Sequence, residues 1–210
     1  MNKTFCVLPW THFFNDPTGK IMPCCSAEVR TDQSAEFPSY GNLRDFESHM
    51  DIINQDNFKQ LRKNMLEGKE SVECTNCYKA EQYGVESFRQ NKNQTLDWMI
   101  SMDEINEMTN PDGGLNQYKM RYWDNRFSNV CNLACRMCSP EYSHTIAKEE
   151  DRTFQGSHIV KAQDSDDWDQ IIKKYGPFDE IFDIYFAGGE VLFQKEHWQM
   201  LDHLIDIGKT

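Results

Sequence analysis

The sequence predicts an α/β fold, in which a small cysteine-bearing α+β unit precedes strand–helix units that build a parallel sheet. Three observations carry this. Apolar residues recur at helical spacing, as in Phe58, Leu61, Met65 and Leu66. Two compact runs, Tyr118–Phe127 and Ile181–Ala187, read as strands, and each is followed by a helical pattern. The eight cysteines fall into groups at 6, 24 and 25, at 74 and 77, and at 131, 135 and 138, a grouping that favours sites over scattered core thiols. With 210 residues, 39% apolar and including 13 Phe, the chain is long enough for one or two domains with a real core.

Residues 1–90 read as one unit. Phe5 to Met22 is rich in aromatic residues and turn formers (Asn15-Asp-Pro-Thr-Gly19), which predicts a small hairpin with Cys6 on one side and Cys24 on the other. A polar loop covers 30–42. Phe46, Met50 and Ile53 then recur at helical spacing, followed by the Phe58–Leu66 pattern, with Gly68 as its stop. Cys74-Thr-Asn-Cys77 falls at a turn and leads into a helix expected from Tyr78 to about Arg89. Residues 91–117 form a bridging segment, with an amphipathic piece around Trp98–Met108 and the turn Asn110-Pro-Asp-Gly-Gly114.

Residues 118–210 form the second unit. Tyr118, Met120 and Tyr122 alternate along a strand that runs straight into the cysteine loop, and a helix is expected from about Pro140. Polar residues 150–165 make a loop, and Trp168, Ile171 and Ile172 mark a further helix. Ile181–Ala187 ends at Gly188-Gly189-Glu190, and Glu196–Ile207 is an amphipathic helix with Trp198, Leu201, Leu204 and Ile205 on one side. In a parallel sheet, ligands sit at the carboxyl ends of strands, where both the cysteine loop and Gly-Gly-Glu lie.

The charge balance narrows the partners. Lys and Arg number 22 against 34 Asp and Glu, a formal net charge of −12. So acidic a chain is a poor ligand for phosphate backbones or anionic membranes, and its excess carboxylates read as a solvated face. The N-terminal apolar run is broken by Pro9 and too short for a signal peptide, and no 18-residue apolar stretch follows, so the expected location is the cytoplasm. In a reducing compartment the cysteines read as metal ligands or reactive thiols rather than disulfides.

Asn129-Val-Cys-Asn-Leu-Ala-Cys-Arg-Met-Cys-Ser-Pro140 is the most informative segment. Cys131, Cys135 and Cys138 form a C-x3-C-x2-C run of three thiols. A structural zinc closes with four ligands, so three soft thiolates on one loop imply a centre with a position left open. The six histidines show no metal-ligand spacing to one another and read as surface or helix residues; for His144 and Tyr142, just after the loop, no role follows from position alone. Trp123, Phe127 and Phe186 read as core, and the acidic runs at 149–151 and 164–167 as solvated.

The C-x3-C-x2-C loop after one strand, with Ala187-Gly-Gly-Glu190 ending a later one, resembles the radical S-adenosylmethionine (SAM) enzymes. The resemblance implies the first part of a partial (β/α) barrel in which Cys131, Cys135 and Cys138 hold three irons of a [4Fe–4S] cluster. The fourth iron would chelate SAM, and one electron would cleave it reductively to a 5′-deoxyadenosyl radical for substrate modification. An electron donor such as a flavodoxin or ferredoxin is implied, with a peptide, a protein or another small molecule as substrate. Gly188 and Gly189 would allow close backbone approach, Glu190 would accept from the SAM ammonium, and Met137 stands near the adenine where the family usually carries an aromatic residue.

Residues 5–90 carry a second resemblance. Cys6-Val-Leu-Pro-Trp10, Gly19-x4-Cys24-Cys25, Gly41-Asn-Leu43, Leu61-Arg62 and Cys74-x2-Cys77 are similar to the SPASM/twitch module, which implies an auxiliary [4Fe–4S] cluster on Cys6, Cys24, Cys74 and Cys77. The Gly-x4-Cys spacing selects Cys24 over Cys25, which reads as a buried neighbour. Four thiolates also suit zinc, although a zinc ribbon pairs two Cys-x2-Cys knuckles and only one is present here. The second unit supplies two strand–helix units where such a barrel carries several more, so a barrel truncated, incompletely sequenced or completed by another polypeptide is expected, with an unpaired sheet edge. An iron–sulfur electron carrier, an inactive fragment and a zinc-stabilised interaction module are the alternatives.

Overall fold

The computed structural model describes residues 3–27, 38–95, 98–163 and 168–209. At its centre is one mixed four-stranded sheet. The hairpin strands β1 (Phe14–Asn15) and β2 (Ile21–Met22) pair antiparallel. β1 lies parallel to β3 (Tyr122–Asn125), with Phe14 opposite Asp124. β3 lies parallel to β4 (Asp183–Phe186), in register from Tyr122 opposite Asp183 to Asn125 opposite Phe186. The order is β2-β1-β3-β4, so strands from both ends of the chain share one ladder.

Local chemistry accounts for the hairpin. Asp16 Oδ1 accepts from the backbone N–H and hydroxyl of Thr18 and the N–H of Lys20, an Asx-type turn. Gly19 sits at φ +85°, and a Cβ there would lie 2.5 Å from the Ala162 carbonyl oxygen.

The helices surround this sheet: α1 (Leu8–Thr11), α2 (His49–Ile53), α3 (Asp56–Leu66), α4 (Thr75–Gln82), α5 (Phe88–Thr95), α6 (Met102–Met108), α7 (His144–Glu149), α8 (Trp168–Tyr175) and α9 (Lys195–Asp206). Ser48, Ser101 and Ser143 cap α2, α6 and α7 through their hydroxyls. One continuous core contains Trp10, Phe13, Phe58, Trp123 and Phe178, and the Trp123 ring meets Phe127, Tyr175 and Phe178, so Trp123 and Phe127 are core as expected, while Phe186 is partly buried against it. Arg62 is fully buried and donates to the carbonyls of Gly113 (2.6 Å), Pro9 (3.0 Å) and Ile53 (2.5 Å), fastening α3 to three separate segments.

Several expectations need correction. The segment before the hairpin coils into α1, with Pro9 early in the helix where a missing N–H costs nothing. The helix expected from Tyr78 to Arg89 is two helices. Gly84, at φ +72°, ends the first, and Ser87 and Gln90 exchange side-chain-to-backbone bonds that start the second. The alternation expected over Tyr118–Phe127 gives way to a four-residue strand buried on both faces. On α9 the core face is Glu196, His197, Met200 and Leu204, whereas Trp198 and Ile205 are exposed. His12 is a core residue, stacked on Tyr122 at 4.5 Å with Nδ1 3.1 Å from the Tyr122 carbonyl oxygen. One edge of the parallel pair is covered by β1, which leaves β4 at the sheet's outer edge. Residues 30–37 and the acidic run 164–167 lie outside the described residues. Among the described residues no helix is long and apolar enough to cross a membrane.

Candidate metal centres

The N-terminal thiols gather from three places in the chain. Cys6 precedes α1, Cys24 follows β2, and Cys74 and Cys77 flank the start of α4, which brings two ligands one helical turn apart. α5 lies across the Cys6 segment: Asn93 donates to the Phe5 carbonyl and accepts from the Val7 N–H, and Arg89 donates to the same Phe5 carbonyl. Cys6 and Cys77 are buried, and Cys24 and Cys74 are partly buried against the core.

Their electrostatics show the convergence. Burial pushes the Cys6 thiol up to about 12, with Cys77 adding to the shift. Cys24 is driven well above the ordinary thiol range by burial and then by Cys6, Cys74, Cys25 and Cys77; Cys74 is raised by burial, Cys6, Glu73 and Cys77. Thiolates crowded in a buried pocket repel one another unless a cationic centre binds them, and a metal-bound thiol is deprotonated outright. The donor set therefore fits a metal centre. Among the described residues no three His, Cys, Asp or Glu side chains draw together as the ligands of a single ion do. Four thiols of this kind can be taken by a zinc ion or by an iron–sulfur cluster.

Cys25 points elsewhere. It is an exposed residue whose thiol rests against the Asp124 carboxylate, and burial and then Asp124 push it up to about 11. Asp124 is fully buried on β3 and pairs with Arg126, Nε to Oδ1 at 3.1 Å. The Arg126 guanidinium lies over the rings of Phe14 (4.8 Å) and Tyr142 (5.3 Å). A chain of contacts thus leads from the hairpin through the central strand to the second cysteine loop.

That loop leaves the carboxyl end of β3. Cys131 is buried, Cys138 partly so, and Cys135 is exposed. The Cys138 thiol is raised by burial and, after the lowering effect of the Ser139 backbone, by Cys131 and Cys135. The Cys131 sulfur accepts the Leu133 N–H at 3.4 Å. Met137 is 95% exposed, at the tip of the loop.

Gly188, Gly189 and Glu190 leave β4 and cross the same loop. Gly189 N–H donates to Tyr142 O at 3.0 Å, and Glu190 N–H donates to Val130 O at 2.7 Å. Gly189 sits at φ +60°, and a Cβ there would come within 2.2 Å of the Val130 oxygen, so no other residue fits this crossing. The buried Gln194 amide donates to Gly188 O at 2.7 Å and to Ser128 O at 3.4 Å, tying the two strand ends together. Among the described residues the Glu190 carboxylate accepts only the Leu192 N–H, at 3.3 Å, which leaves acceptor capacity beside the loop.

Sequence reasoning passed over the residues that frame the loop. Asn129 is fully buried; its amide donates to Pro140 O (3.0 Å) and His158 O (2.9 Å) and accepts Val160 N–H (2.9 Å). His144, Thr145 and Ser143 bond to the Cys131 and Leu133 backbone. Asn129 and His144 were visible in the sequence only by lying near the cysteine loop, since the bonds that make them part of its frame depend on the fold.

No curated protein and no solved structure matches the chain. A family model does match its N-terminal part, over a span that encloses Cys6, Cys24, Cys74 and Cys77 together with Cys25. Residues 6–78 are similar to SPASM, an iron–sulfur cluster-binding domain.

Proposed function

We propose that the chain is a radical SAM protein: Cys131, Cys135 and Cys138 hold a [4Fe–4S] cluster, Gly188, Gly189 and Glu190 receive the amino-acid end of SAM, and Cys6, Cys24, Cys74 and Cys77 hold an auxiliary [4Fe–4S] cluster. The observation that carries the reading is the meeting of two strand ends. β3 and β4 are adjacent and parallel, and the turns after them are joined by the Gly189–Tyr142 and Glu190–Val130 backbone bonds, which sets a three-thiol loop beside a glycine-lined acidic turn. When bound, the loop cluster would supply one electron for reductive cleavage of SAM.

The chain's own groups have distinct tasks in this reading. The loop offers three thiols and leaves one coordination position for a ligand. The glycines admit a ligand close to the backbone, and the Glu190 carboxylate orients an ammonium by a charge-assisted hydrogen bond. The Asp124–Arg126 pair and the stacked Tyr142 keep the β3 end rigid under the loop. The reading calls for a low-potential electron donor such as a flavodoxin or ferredoxin, a reducing compartment such as the cytoplasm, and a peptide, protein or small-molecule substrate.

The test is electron paramagnetic resonance of anaerobically reconstituted, dithionite-reduced protein with and without SAM. Two cluster signals, one of them shifted by SAM, are expected. Two signals indifferent to SAM would replace the enzyme reading with an iron–sulfur electron carrier. A colourless protein holding stoichiometric zinc would replace both.

A further inference from the structure

We propose that His144, acting with Thr145, is a positioning residue that presents the Cys131 thiol to the metal centre in a preset place; this rests on the loop being a cluster site. Cys131 is held at both of its peptide groups by consecutive side chains at the start of α7. Its N–H donates to His144 Nδ1 at 3.0 Å, and its carbonyl accepts the Thr145 hydroxyl at 2.8 Å. The helix start is itself anchored. The His144 N–H donates to Asn129 O at 2.8 Å, and the Ser143 hydroxyl donates to Leu133 O at 2.9 Å while accepting from the Ile146 N–H.

The other two loop cysteines have no such bracket. Cys138 N–H donates within the loop to Cys135 O at 2.9 Å, and Cys135 is exposed. One ligand is therefore rigid and buried while two can adapt, an arrangement in which assembly begins at Cys131. Because a backbone N–H only donates, His144 must accept at Nδ1, which puts its hydrogen on Nε2. The bond also withholds the Cys131 amide from the cluster sulfurs. Amides that donate to those sulfurs stabilise the reduced cluster, so His144 acts to keep the potential of this centre low.

The test compares His144→Ala, His144→Gln and His144→Asn in the full chain reconstituted with iron and sulfide. An Asn carbonyl oxygen can occupy the place of Nδ1 and keep the bond, whereas Gln places its amide near Nε2 and cannot. His144→Ala and His144→Gln should lose loop iron to a chelator about tenfold faster and shift the loop-centre potential upward, with the N-terminal centre unchanged as internal reference. His144→Asn should behave as wild type. Wild-type rates and potentials in His144→Ala, or an Asn variant as impaired as Ala, would overturn the inference. A metal-free measurement separates it from the cluster reading: hydrogen exchange of the Cys131 amide should be slow in wild type and His144→Asn and fast in His144→Ala. Wild-type protein without loop iron would count against the cluster reading, whereas unchanged exchange in His144→Ala would count against the positioning role itself.

Discussion

Asn129→Ala should open the stem of the cysteine loop. The wild-type side chain makes three hydrogen bonds, two to carbonyls at 2.9 and 3.0 Å and one from the Val160 N–H at 2.9 Å, in a fully buried position. At about 1 kcal/mol net each, with buried partners left unsatisfied, the loss is about 3 kcal/mol. That corresponds to a change on the order of a hundredfold in the closed-to-open ratio of the loop. Asn129→Asp should be no better, because it keeps one acceptor but aims an anion at two carbonyl oxygens. Urea unfolding measures the global cost, and hydrogen exchange at the Val160 amide reports the local one. A change below about 1 kcal/mol for Asn129→Ala, or a retained slow amide at Val160, would refute the claim that this side chain closes the loop.

Four further outcomes follow from the same structure. Gly189→Ala, whose Cβ would lie 2.2 Å from Val130 O at φ +60°, should destabilise by more than about 2 kcal/mol in urea unfolding, whereas Gly84→Ala, in open space at φ +72°, should cost only about 1 kcal/mol. Replacing Cys131, Cys135 and Cys138 together by Ala should remove the loop iron and leave the N-terminal iron, and Cys25→Ser should leave both; iron and sulfide analysis decides this. Arg62→Met leaves three buried carbonyls without their donor and should cost about 3 kcal/mol or more, seen as a lower urea midpoint at unchanged slope. Burial lowers the His12 pKa to about 3 from an unfolded value of 6.5. The unfolded chain therefore binds more protons in that window, and stability present above pH 6.5 should fall as pH drops toward 3. The slope is at most about 1.4 kcal/mol per pH unit, and His12→Asn should remove this share of it in matched acid titrations.

Much of the fold was legible locally. α3 ends at Leu66 with Gly68, at φ +74°, just past its cap, α8 follows Trp168, Ile171 and Ile172, and the strand before Gly-Gly-Glu lies where its apolar run placed it. The split between α4 and α5 was also written in the chain, as Gly84 and the Ser87-x-x-Gln90 box. The exposed face of α9 was not. Its Trp198 and Ile205 have the composition of a core, and Met200 won the interior because the neighbouring elements, not helical periodicity, decide which stripe is covered.

The sequence singled out the cysteines by their grouping and by the odd set of three at 131, 135 and 138, and the resemblance of residues 5–90 to the SPASM/twitch module implied Cys24 rather than Cys25. These are properties of short segments, where a few bonds limit how far side chains can separate. Only the tertiary structure decided that β1 joins β3 in one sheet, that Cys25 turns to Asp124, and that His144, Thr145 and Asn129 hold the loop. The contacts that do so span up to 111 residues, as in the bond from Asn15 to Arg126 O. A sequence carries no local trace of such partners, because the energy that selects them appears only once both segments are buried together.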